Sequence, residues 1–154
     1  MSDVDLEEFA PVTIDEDRWV GGGSVNGVVI VWRKRDRELR RRLRAGVNFD
    51  GADLRRAKLV DMDLRSKSFR GANAEFADLT EADLRGSDLR GANLRGAYLT
   101  GAMLQGADLR DAVLRDAWLL ATHLEDTQLA DADVTGAVYD QATVWPAGYS
   151  PPRP

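Results

Sequence analysis

The sequence predicts an all-β solenoid, a chain wound into square coils with one five-residue unit on each side. Three observations predict it. A period of five runs without interruption from Val47 to Gly136. Counting in fives from Phe49 reaches Leu54, Leu59, Leu64, Phe69, Ala74, Leu79, Leu84, Leu89, Leu94, Leu99, Leu104, Leu109, Leu114, Leu119, Leu124, Leu129 and Val134, so seventeen of eighteen positions are large and apolar. Two residues before most of these stands an alanine, among them Ala52, Ala57, Ala92 and Ala117. A helix needs apolar residues three and four apart and a flat strand needs strict alternation, so neither period fits. If each unit makes one side and a turn, the large residue and the small one before it point inward and the other three face water. Stacking the coils then buries each central residue against the one above, at the roughly 4.8 Å spacing of paired strands.

The chain divides in order. Residues 1–24 form an acidic segment: seven acids and no base lie within residues 1–17, and Gly21-Gly22-Gly23-Ser24 reads as a flexible joint. Residues 25–45 read as a short strand, 25–32, followed by a basic cap helix over 33–44, RKRDRELRRRLR, with Leu39 and Leu43 on one face. Residues 46–140 are the solenoid. Residues 141–154 hold a proline-rich tail unsuited to strand or helix.

Charge follows the same divisions. Residues 33–44 carry eight bases against two acids, residues 46–107 balance nine against nine, and residues 108–133 set seven acids against Arg110 and Arg115. The acids there, Asp108, Asp111, Asp116, Glu125, Asp126, Asp131 and Asp133, are the candidate acidic surface. With 154 residues there is room for one core. With no cysteine, disulfides and thiolate metal sites are excluded. The longest apolar run is too short to cross a bilayer, and the expectation is a cytoplasmic, untargeted protein.

The unit Ala92-Asn93-Leu94-Arg95-Gly96 resembles the pentapeptide-repeat family, and the resemblance covers about 90 residues. It implies a right-handed quadrilateral β-helix with four repeats per coil, so eighteen repeats give about 4.5 coils and a rod roughly 20 Å long. The tail from Trp145 to Gly148 and Tyr149 resembles the Trp-Pro-x-Gly-aromatic ending of that family, which lays both rings on the last coil. Three positions depart from the pattern: Met62 and Lys67 replace the small inward residue, and Ala74 replaces a large one. Lys67 is expected to lean out at a corner, because a buried lone ammonium is costly. Whether Phe76 folds in beside Ala74 or leaves a small void stays open.

Catalytic chemistry finds few parts. There is one histidine and no cysteine, and Asp before the central Leu belongs to the repeat itself, so no carboxylate pair stands out. His123 reads as a surface residue. GGGS lacks the lysine and second half of a phosphate loop. The expectation is a non-enzyme without cofactor or metal.

Specificity then belongs to the faces. Residues twenty apart stack, which gives arginine ladders (Arg70, Arg90, Arg110; Arg55, Arg95, Arg115) expected to pair with neighbouring aspartates. A third face carries Val60, Thr80, Thr100 and Leu120 after the central residue and Lys58, Asp78, Tyr98, Trp118 and Val138 before it, without charge in its lower half. Tyr98, Trp118, Leu120, Val138 and, from the adjacent face, Met103 form the candidate interface. The chain's own flanks are an equal alternative as its cover. The function expected is a protein-interaction or scaffold module, with a homodimer through this face as one form. The alternative, implied by the family, is a DNA mimic that binds a topoisomerase such as gyrase and gives quinolone or toxin resistance. Its rod is short for that role and arginines interrupt its acidic faces. Direct nucleic-acid binding by residues 33–44 ranks third.

Overall fold

The computed structural model describes residues 22–25, 28–31 and 49–152. Two strands, β1 (Gly22–Val25) and β2 (Val28–Val31), pair antiparallel with Val25 opposite Val28. This corrects the reading of one strand over 25–32 behind a flexible joint: Gly22, Gly23 and Ser24 are themselves in β1. Between the strands stand Asn26 and Gly27, the dipeptide that most favours a tight hairpin. The basic helix expected over 33–44 and the acidic residues 1–17 lie outside the described residues.

From Phe49 onward one local motif recurs every five residues. The amide of each small inward residue donates to the carbonyl of the central residue three before it, as Ala57 does to Leu54 and Ala97 to Leu94, both at 3.0 Å. The third residue of each such turn has left-handed φ, for example 57° at Arg56, and the second does not, which is the requirement of a type II turn. Glycine meets it at eight of these corners and aspartate, which tolerates this region, at five. Arg56, Ser66, Phe76, Glu81 and Ala121 meet it against their own preference.

Between coils the pairing is parallel and twenty residues apart. Asp53 bridges Asn73, which bridges Asn93, then Val113 and Asp133; Lys58, Asp63 and Ser68 begin the other three columns. The amide of Asn73 donates to Ala52 above it (2.9 Å), while the amide of Leu54 donates to Asn73 below (2.7 Å). Every side is thus stitched to both neighbours by the backbone alone. Twenty residues per coil and four columns make the solenoid four-sided.

All eighteen central residues are buried, as are most of the small ones. Each buried leucine contributes about 2 kcal/mol relative to exposure. Phe49 and Phe69 stack at 4.8 Å and 5°, the coil spacing itself. Where the small position is polar, its hydroxyl is bonded: Ser87 donates to the carbonyl of Leu84 (2.7 Å), Thr122 to Leu99 (2.8 Å) and Thr127 to Leu104 (3.1 Å). Met62 is buried in its place. Lys67 is half-buried, and loss of water around its ammonium pushes its pKa down. Phe76 does not fill the space beside Ala74; it is 44% exposed at a corner with φ 56°.

The ladder changes step once. Val144 pairs with His123 at a separation of twenty-one, so one extra residue enters between Val138 and Val144. Thr143 then takes an inward place and donates to the carbonyl of Leu119 (2.7 Å). Tyr139, Trp145 and Tyr149 pack on the end of the core. Tyr139 and Trp145 meet edge to face at 5.3 Å, Trp145 and Tyr149 stack at 5.2 Å, and the Tyr139 hydroxyl donates to the carbonyl of Pro152 (2.7 Å). Burial pushes the Tyr149 phenol pKa up.

Candidate functional faces

The residue before each central position points outward, and on one side of the coil these residues form the column Lys58, Asp78, Tyr98, Trp118, Val138. Tyr98 is 45% exposed, Trp118 42% and Val138 37%, and the two aromatic rings stack at 6.2 Å and 27°. Their apolar faces are held at the surface because the backbone bridges on either side fix the direction of each side chain. Leu120 is half-buried in the column after the central residue, and Met103 is half-buried in the neighbouring column, directly above His123. The reading of this lower half as free of charge is corrected by Asp140, which follows Tyr139 below Leu120. Its carboxylate accepts the amides of Ala121 (3.0 Å) and Ala142 (3.1 Å), and these bonds hold its pKa below the usual range. Counting twenty from Leu120 lands on it directly.

The seven acids of the lower coils do not make one surface. Asp108, Asp116 and Asp133 are ion-paired, with Arg110 (2.6 Å), Arg95 (3.6 Å) and Arg115 (3.8 Å) respectively, and Glu125 Oε1 lies 3.1 Å from His123 Nδ1. Asp111, Asp126 and Asp131 are exposed corner residues, the first and last stacked on one corner and Asp126 on another.

Two contacts recur among the arginines. Where an aspartate stands two residues before, the arginine forks onto it, as in Arg55, Arg65, Arg85, Arg90 and Arg110. Where one stands eighteen after, on the next coil, the arginine reaches it, as in Arg65, Arg70, Arg90 and Arg115, while Arg95 instead meets Glu75 and Asp116. Arg90 holds Asp88 through Nε (2.8 Å) and Nη2 (2.6 Å) and lies 3.6 Å from Asp108. Arg65 bridges Asp63 (2.9 Å) and Asp83 (3.5 Å) in the same way. The paired guanidinium holds Asp53 down at about 2 and pulls Asp83, Asp88 and Asp108 below the usual carboxylate range. The contacts eighteen residues apart join coil to coil, and much of their strength is screened at the surface.

Above Gly86 a polar groove of about 580 Å³ is lined by Asp63, Arg65, Ser66, Lys67 and Arg85. Among the described residues no cluster of His, Asp or Glu could hold a metal ion, and no helix is long and apolar enough to cross a membrane.

The family model described as pentapeptide repeats matches in eight copies, within residues 48–86, 77–116 and 107–138. A pentapeptide repeat protein from Nostoc PCC 7120 is 34% identical over 73% of this chain and 86% of its own, with a TM-score of 0.42. Rfr23 from the cyanobacterium Cyanothece 51142 is 34% identical, covering 55% of this chain and 54% of its own, with a TM-score of 0.28. QnrB1, a plasmid-mediated fluoroquinolone resistance protein, is 22% identical over 49% of each chain, with a TM-score of 0.27. The chain thus spans about half the length of the last two. A search of curated proteins finds no match.

Proposed function

We propose, from the premise that this chain belongs to the pentapeptide-repeat family, whose members fold as right-handed quadrilateral β-helices, that it is a non-catalytic protein-interaction module. The observation that carries this reading is the exposed, stacked pair Tyr98 and Trp118 on a rigid β-side, continued by Val138 and flanked by Leu120. Aromatic anchors held at the surface without conformational freedom lose little entropy on binding, and they dominate interface energetics. The twin variant Trp118→Lys, Leu120→Lys tests it. Neither residue is fully buried, so the coil should stay folded by circular dichroism while a partner recovered from the native host is lost. Equal recovery of the same partner would reject the reading.

A second reading, a DNA mimic that binds a topoisomerase, is favoured by the exposed acids Asp111, Asp126 and Asp131. It ranks second because the arginine ladders neutralise Asp83, Asp88 and Asp108 and interrupt the phosphate-like spacing such a mimic needs. Purified protein that leaves gyrase supercoiling unchanged, with and without a quinolone, would dismiss it.

A further inference from the structure

The acids around the aromatic pair indicate what kind of partner this side takes. Asp78 bridges Tyr98 from the coil above, and Asp140 lies below Leu120. Glu81 and Asp116 stand exposed at the two corners bordering the side. Both lean onto the coil below. A Cβ built on Gly101 would lie 3.4 Å from Glu81 Cγ, and one built on Gly136 would lie 2.5 Å from Asp116 Oδ1. Glu81 thereby reaches the coil of Tyr98, and Asp116 reaches that of Val138. On this side no lysine or arginine follows Lys58 in either outward column.

We propose, resting on the interaction reading above, that this side binds an arginine-bearing basic segment of a partner protein, with guanidinium planes against Tyr98 and Trp118 and their N–H groups toward the framing carboxylates. A guanidinium suits the place because it is planar, weakly hydrated and attracted to the negative face of an aromatic ring. Asp116 already lies against one, with Arg95 Nε at 3.6 Å, while its side chain remains 60% exposed. A neutral partner would cover the exposed Glu81 and Asp116 carboxylates without adding a charge to offset their lost hydration.

The test uses the full chain and two fluorescein-labelled peptides, Gly-Ser-Arg-Ser-Arg-Ser-Gly and its citrulline counterpart, which keeps the shape and removes the charge. Fluorescence polarisation at low salt should show the arginine peptide binding at least fivefold more tightly. Trp118→Leu and the pair Glu81→Gln, Asp116→Asn should each erase most of that preference. Equal binding of the two peptides, no binding, or binding indifferent to both variants overturns the proposal. A second arm replaces Arg40, Arg41, Arg42 and Arg44 by glutamine in the full chain. If only this variant binds the arginine peptide, or if it abolishes a self-association seen in the wild type, the occupant is the chain's own basic run or a second copy, and the proposal fails. A host partner lost in the Trp118→Lys variant but retained by Glu81→Gln, Asp116→Asn would leave the interaction reading standing and sink this one alone.

Discussion

The ring of Phe76 covers Gly96 so closely that a Cβ on the glycine would overlap the ring carbons Cε1 and Cδ1. The two residues are neighbours on one corner, twenty apart, and both have left-handed φ, 56° and 62°. Gly96 is buried because of that ring, although its corner faces water elsewhere along the rod.

Gly96→Ala should therefore lower stability by about 2 to 3 kcal/mol, through left-handed strain of roughly 1 kcal/mol and a clash for the remainder. Thermal unfolding of a double-mutant cycle with Phe76→Ala separates the two. Removing the ring should recover the clash and leave the strain. Additive losses would show that the ring moves aside at no cost.

Leu104→Ala should be far more damaging than any change on the surface. Leu104 is fully buried between the coils of Leu84 and Leu124, so the expected loss is about 2 to 5 kcal/mol by denaturant unfolding. Because each coil touches only its neighbours, the loss should also broaden the transition.

The aspartate–arginine staples predict a pH dependence with a definite sign. Asp53, Asp83, Asp88 and Asp108 are held below their ordinary value in the folded protein, so they contribute stability above the unfolded value of about 3.9 and lose it as pH falls through the folded ones. The melting temperature should stay level from neutral pH to about pH 5 and drop between roughly pH 4 and pH 2. Raised salt should flatten the drop, since these pairs are partly exposed.

Trp145→Ala should loosen the closing end. The indole stacks on Tyr149 and meets Tyr139 edge to face, so its loss should cost about 2 kcal/mol or more and expose the tail to proteolysis. Cleavage is expected after residue 139, with the coils above still protected.

Most of the rod is legible in the sequence because its cause is local and repeated: an apolar residue every fifth place and a small one two before it fix the turn, the direction of the side chain and the stacking partner together. The same strict count concealed the continuation to Val144, since one added residue shifts the register without changing the composition. The outward aspect of Tyr98 and Trp118 follows from their place before a central leucine. Their stacking and the lean of Glu81 and Asp116 do not, because these depend on which rotamer the neighbouring coil permits. Phe76 was ambiguous for a related reason. An aromatic residue beside a vacant central place suggests filling, but its own position fixes it at a corner, and the backbone decides. The hairpin is hard to read in the sequence because its first strand is built on Gly22, Gly23 and Ser24, residues that favour a loose chain.

A stack of identical coils has no intrinsic length, since each turn presents the next with the same edge it received. The added residue between Val138 and Val144 acts as punctuation. By throwing the last side out of step it brings Trp145 and Tyr149 across the bottom edge, where another coil would otherwise join. A terminus that is out of phase and covered by rings cannot template a further turn from the same chain or from a neighbour. In this molecule one residue out of register gives the rod a size.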